Sequence, residues 1–193
     1  MERDVLTQAG LPTSERGRIF PSIGLLLVQL IVAWEWLDSG LTKVFLGGFP
    51  SGLGSDLTEQ SKDAAAWYRS FLDSVVIPNG SLFGYSIMIT EVVIGIVLLA
   101  TALAWLLRWE SLGRRQRDAV LLLTVVACAV AVSLNVGLYL ASGDPLPFFI
   151  GKSVFDEGIS LDVILPAIEL ILGGVALWTY LSIRRGRTSP SRA

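Results

Sequence analysis

Four long apolar stretches punctuate the chain at about 19–45, 82–107, 119–141 and 161–183, separated by polar, charged or Gly/Pro-rich segments. Each is long enough for a helix, rising 1.5 Å per residue, to cross a hydrocarbon core of about 30 Å. The pattern predicts an all-α integral membrane four-helix bundle over 19–183, with a polar leader, 1–18, and a short tail, 184–193. Between the first two spans, 46–81 opens with the loop-like GGFPSGLGS and continues as SKDAAAWYRSFLDSVV. There Ala64, Trp67, Tyr68, Phe71, Leu72 and Val75 recur at i, i+3, i+4 and i+7, which predicts an amphipathic helix over about 61–76. It is expected to lie on the outer membrane surface or to lid the bundle, with Pro78-Asn79-Gly80 turning the chain into the second span. The second outer segment, SGDPLPFFIGKSVFDEGIS, reads as a structured cap, acidic through Asp144, Asp156, Glu157 and Asp162.

Charge orients the spans. Of the 15 basic residues, only Lys43, Lys62, Arg69 and Lys152 fall on the side of the two long connections. The rest, from Arg3 to Arg18, Arg108 to Arg117 and Arg184 to Arg192, share the opposite side. The positive-inside rule then places both termini in the cytoplasm of a bacterial or archaeal cell, in a multi-pass cell-membrane protein. No small-residue cleavage site follows the first apolar run, so a removable signal peptide is not expected.

Composition agrees: 52% of residues are hydrophobic and the mean hydropathy is +0.62. A net charge of -2, with basic clusters explained by topology, gives no indication of nucleic acid as a partner. With no histidine, the chain cannot build a His-ligated haem, a copper centre or a His proton relay. The single cysteine, Cys128, excludes an intrachain disulfide. No haem or metal is expected, and any redox centre must come from outside.

Three carboxylates interrupt the apolar spans: Glu35, Glu91 and Glu169. Each lies roughly 12–15 Å from the outer end of its helix, and ionisable groups at that depth normally face the bundle interior and mark a proton, ion or ligand site. Glu35 and Asp38, at i and i+3, share a helix face and form a candidate proton-sharing pair, with Lys43 as a cationic partner or an anion contact. Alternatively Lys43 snorkels to the outer interface. Trp34 and Trp36 flank Glu35 on nearly opposite faces, so at most one lines a site, where it would stack on a flat ring. Asn135 and Tyr139, one turn apart, add hydrogen-bonding groups. The alternative role for the acids is a polar clamp that only holds the bundle together.

Glu91 and Glu169 recur in one setting, TEVVIG and IELILG, each four residues before a glycine, Gly95 or Gly173. Such glycines allow close helix approach. The repeat predicts two duplicated helical hairpins related by an axis along the membrane normal.

Gly40-Leu-Thr-Lys43 closing the first span, WYRSFLDSVVIPNGSLFGY, TEVVIGIVLL and LDVILPAIEL, in that order, give the chain a resemblance to the DoxX family over about residues 20–183. That family includes the DoxD small subunit of thiosulfate:quinone oxidoreductase. The resemblance implies a four-helix membrane subunit of a redox complex, passing electrons from a reduced sulfur donor such as thiosulfate to membrane quinone as substrate. It also implies a second redox subunit as partner, and carries Gly40 to Lys43 and Glu91 over as site residues. A homo-oligomer is the other expected assembly, and membrane lipid the common surrounding. The chain departs from the family in Trp34-Glu35-Trp36 and in its long second cap. On this reading Glu35, Glu91 and Glu169 handle protons, and Trp34, Trp36, Asp38, Lys43, Asn135 and Tyr139 line the substrate site. A non-enzymatic scaffold or a proton-coupled permease is the alternative.

Overall fold

In a computed structural model of the protein, the described residues are 13–143 and 161–185, with side chains from residue 23 in the first helix and from residue 163 in the last. They contain helices and no strand. The helices are α1 (Thr13–Leu46), α2 (Phe49–Gln60), α3 (Ala66–Phe71), α4 (Gly80–Arg108), α5 (Arg114–Ser142) and α6 (Leu161–Arg185). Four of them are long and apolar enough to cross a membrane, which makes this a multi-pass membrane protein with a four-helix bundle. The side carrying α2 and α3 is termed the cap side, and the side of the α4–α5 connection the turn side. The second outer segment from Asp144 onward, much of the leader and the tail lie outside the described residues.

α1 packs chiefly on α4 and α5 on α6, while α4 against α5 joins the two pairs and α1 scarcely touches α6. This is the arrangement of two hairpins side by side. Small residues set each pairing. A Cβ on Gly95 would lie 2.6 Å from Leu37 Cγ, one on Gly40 would lie 2.8 Å from Val92 Cγ2, and one on Gly173 would lie 3.0 Å from Cys128 Cβ. α1 and α4 therefore approach through glycines from both sides, and the repeated Glu-x-x-x-Gly serves the same packing in both hairpins. Val32, Ala33, Trp36, Ile94, Leu98, Ala127, Cys128, Ala131 and Leu172 fill the centre of the bundle as one buried cluster.

The cap differs from the sequence expectation. GGFPSGLGS opens helix α2 instead of a loop: Gly47 and Gly48 adopt positive φ of 70° and 79° before it, and Pro50 sits in its first turn, where a missing N–H costs nothing. Its glycines then serve contact, since a Cβ on Gly84 would lie 2.5 Å from Pro50 Cα and one on Gly80 2.9 Å from Gly54 N. The helix expected over 61–76 is divided into a 3-10 turn, Ser61–Asp63, then α3 and a π-helical turn, Leu72–Val76. Pro78-Asn79-Gly80 makes no turn; Ile77–Asn79 continues helically into α4, giving an unbroken run of 43 residues from Ala66 to Arg108. Leu53, Leu57, Leu72, Val76 and Ala141 form a second buried cluster beneath this cap. Trp67 and Phe71 remain 65% and 43% exposed, while Tyr68 packs α3 down onto this cluster.

At the turn side, Trp105 and Trp109 stack with centroids 4.5 Å apart and Arg117 lies 5.3 Å over Trp109. The Gly113 N–H donates to Gln116 Oε1 at 2.9 Å, starting α5.

Gly95→Ala is expected to destabilise the bundle by about 1–3 kcal/mol, because the added methyl meets Leu37 and its backbone. Gly174→Ala, with nothing within 4 Å of the new Cβ, is expected to be neutral or slightly stabilising. Unfolding of the two variants in detergent compares them directly.

Candidate functional site

The functional face of α1 is an interior stripe: Gln29, Val32, Ala33, Trp36 and Gly40 are buried and Lys43 half-buried. Spacings of three, four and seven place these side chains on one side of the helix. They meet three polar layers at successive depths.

Nearest the cap, the Lys43 ammonium donates to Glu91 Oε1 at 2.8 Å and to Oε2 at 2.7 Å. It also donates to Ser39 Oγ at 2.7 Å, and Ser39 donates to Glu91 Oε2 at 3.4 Å. The Glu91 side chain is 3% exposed and that of Lys43 22%. Gly40, whose Cβ would come within 3.1 Å of Glu91 Cβ, lets α1 approach closely enough for this pairing. The Phe49 ring at the start of α2 lies 5.1 Å from Lys43 Nζ, an attractive cation–π position beneath the cap. Of the three readings of Lys43, partner to an acid, anion contact or snorkelling interfacial cation, the geometry has the first, with Glu91 as the acid in place of Glu35.

Mid-bundle, Glu169 is wholly buried. Trp36 Nε1 donates to its Oε1 at 2.7 Å and Asn135 Nδ2 donates to its Oε2 at 3.1 Å. Both donors are neutral. Glu169 of α6 is thus bound to α1 and α5 at once, and its bond to Trp36 joins two helices that otherwise scarcely meet. Pro166, one turn before it, is buried inside α6.

Toward the turn side, Gln29 Nε2 donates to Leu98 O and to Thr101 Oγ1, both at 2.9 Å. This pair borders a cavity of about 610 Å³ between the turn-side ends of α1, α4, α5 and α6. Leu26, Leu121, Leu172 and Trp105 supply apolar walls, and Thr124 and Thr179 supply hydroxyls. Trp178, 70% exposed, stands at its rim, so the cavity communicates with the membrane-facing surface. A pocket of this size, mostly apolar with a few polar groups, has the usual character of a small-molecule site. Apolar runs with no charge gave no signal for it; the only clue was the isolated Gln29.

The structure therefore brings together Trp36, Lys43, Glu91, Asn135 and Glu169 along one axis of the bundle. Glu35, Trp34 and Asp38 do not join them. All three are exposed on the opposite face of α1, with Trp34 at 70%. Neighbours in sequence on a helix point about 100° apart, and burial of Trp36 turns Glu35 outward. The Tyr139 hydroxyl is buried with no hydrogen-bond partner among the described residues. Those residues hold no group of three or more metal-ligating side chains.

No family model, curated protein or solved structure matches the chain.

Two acids at neighbouring depths have opposite surroundings. Lys43 neutralises Glu91, and their mutual bonds and Ser39 leave the pair closed on itself. Glu169 has hydrogen bonds to both oxygens and, among the described residues, no cationic partner. Between this layer and the cavity lie Val32, Leu98 and Ala127, an apolar stratum that Leu172 continues into the cavity wall.

Lys43→Met is expected to cost about 3–5 kcal/mol by leaving Glu91 buried and unpaired. Lys43→Met with Glu91→Gln is expected to recover most of that loss. Chemical unfolding of both variants closes the cycle; equal instability of single and double variants would show the pair does not stabilise through mutual neutralisation.

Proposed function

We propose that the protein is a quinone-interacting membrane subunit of a redox complex, related to the DoxX family, with both termini cytoplasmic in a bacterial or archaeal cell membrane. Its electron donor is a reduced sulfur compound such as thiosulfate, oxidised by a partner subunit. The observation that carries the reading is Glu169, a wholly buried carboxyl with neutral donors only, one helical turn from Leu172 in the wall of a lipid-accessible cavity of about 610 Å³. Quinone diffuses in the bilayer, and a largely apolar cavity with hydroxyls and an amide suits its flat carbonyl-bearing ring.

On this reading quinone enters past Trp178 and lies between Trp105, Gln29 and Thr124. Reduction to quinol consumes two electrons from the partner and two protons. Glu169 takes up and passes protons, steadied by Trp36 and Asn135, and Leu172 must move aside for each transfer, because it separates the acid from the cavity. Glu91 acts structurally, through Lys43. Trp34, Glu35 and Asp38, facing away, take no part in the chemistry.

A second reading, a non-enzymatic scaffold, is favoured by the closed Lys43–Glu91 pair, which has the geometry of a polar clamp. A proton-coupled permease has less support. The apolar stratum interrupts the polar groups between Glu169 and the turn side.

The test is thiosulfate-dependent quinone reduction by the isolated native complex. Glu169→Gln is expected to lower kcat at least tenfold with little change in KM for quinone, whereas Thr124→Trp, which fills the cavity, is expected to raise KM. An intact complex without quinone reductase activity, or full activity in Glu169→Gln, would remove the enzyme reading and leave the scaffold.

A further inference from the structure

Glu35 sits where a membrane protein does not ordinarily leave a carboxylate. The register of α1 on α4, with Gly40 at Val92 and Gly95 at Leu37, sets Arg108 level with residue 24. Glu35 then stands about 16 Å further into the bilayer, close to its middle. It is exposed, and so is Asp38 one turn nearer the cap. Neither has a hydrogen bond or ion pair among the described residues. Acids at this depth almost always face protein or a water-filled cavity, and pair with an opposite charge or with backbone carbonyls.

The same face has shape as well as charge. A groove of about 350 Å³ runs along it between Trp34 and Phe45, with Asp38, Leu41 and Thr42 in its lining. Leu27, Ile31, Trp34, Leu41 and Phe45 are exposed along this face, Phe45 at 81%. α1 thus presents a continuous apolar stripe with a groove in its cap-side half and two acids at its centre.

We infer that this face of α1 docks a transmembrane helix of a different protein, one that carries Lys or Arg near its middle, with the cation set between Glu35 and Asp38. Charge decides against a second copy. A two-fold contact through this face would set the acids of one copy against the same acids of the other. Among the described residues no free cation stands at that depth: Lys43 is held by Glu91, Lys62 and Arg69 belong to the cap, and Arg16, Arg18 and the arginines of α4, α5 and α6 lie at or near the turn-side ends of the helices. In hydrocarbon, an ion pair that relieves unpaired acids gives both affinity and register to the helix that supplies the cation. The inference is independent of the quinone reading, since a scaffold needs a partner as much as an enzyme subunit does.

A photo-crosslinking residue placed at Trp34 or at Thr42, in native membranes of the source cell, reads the contact. Leu170, 62% exposed on α6, is the control position. The expected result is an adduct from Trp34 and Thr42, absent from Leu170, whose sequenced peptide is a transmembrane helix of another protein with a central Lys or Arg. Glu35→Gln with Asp38→Asn is expected to lower its yield at least tenfold. Exchanging charges, Glu35→Lys with the partner's basic residue made Glu, is expected to restore it. Because both acids lie on the exposed face, the bundle's unfolding midpoint in detergent should not change in the double variant. An adduct with this chain's own peptides, with lipid alone or with a helix lacking a basic residue would overturn the inference, as would no adduct or an unchanged yield in the double variant.

Discussion

Glu169 accepts one hydrogen bond from α1 and one from α5 while belonging to α6. In a bilayer, helices have no hydrophobic incentive to associate, so packing and interhelical polar bonds must hold a bundle together, each bond contributing about 1 kcal/mol. α1 and α6 have little packing between them, and the Trp36 bond is the hydrogen bond described between them. That bond ties the hairpin of α1 and α4 to the hairpin of α5 and α6 at the level of Glu169, beside the packing of α4 on α5, and the cavity lies toward the turn side of it.

The two hairpins share a frame and differ in its contents. Glu91 and Glu169 each stand one turn from a glycine that brings its helix against the partner, Leu37 in one hairpin and Cys128 in the other. Opposite Glu91 the chain places Lys43; near the corresponding position opposite Glu169 it places Asn135. That difference makes one site a neutralised pair and the other a carboxyl bonded by neutral groups. Duplication of a hairpin followed by loss of the cation from one copy would produce this pattern.

The all-α architecture, the four spans and the packing role of the repeated glycines were legible in the sequence, because apolar length and residue size act locally. The pairing of Asn135 with Glu169 was partly so, since both are isolated polar residues in apolar helices. α2 was not: glycine, proline and serine discourage an isolated helix, and this one is stabilised by tertiary contact, Pro50 on Gly84 and Gly54 on Gly80. The continuous helix through Pro78 was missed because the chain passes the proline by way of a π-helical turn, Leu72–Val76, and a 3-10 turn, Ile77–Asn79, which leave no mark in the spacing of apolar residues. Glu35 misled because depth along a span can be counted, whereas the face it occupies depends on which neighbour packs inward. Trp36 does so, bonded to Glu169, and Glu35 is carried to the outside.

The proposed chemistry depends on a change at one carboxyl during turnover, and redox-induced infrared difference spectroscopy of the native complex reads that group itself. If Glu169 exchanges protons as quinone is reduced, the spectrum contains a carboxyl C=O band that shifts in heavy water and disappears in Glu169→Gln. It persists in Glu91→Gln. A spectrum that is the same with and without Glu169 would contradict the account, and would return this carboxyl to the role of a polar fastening between helices.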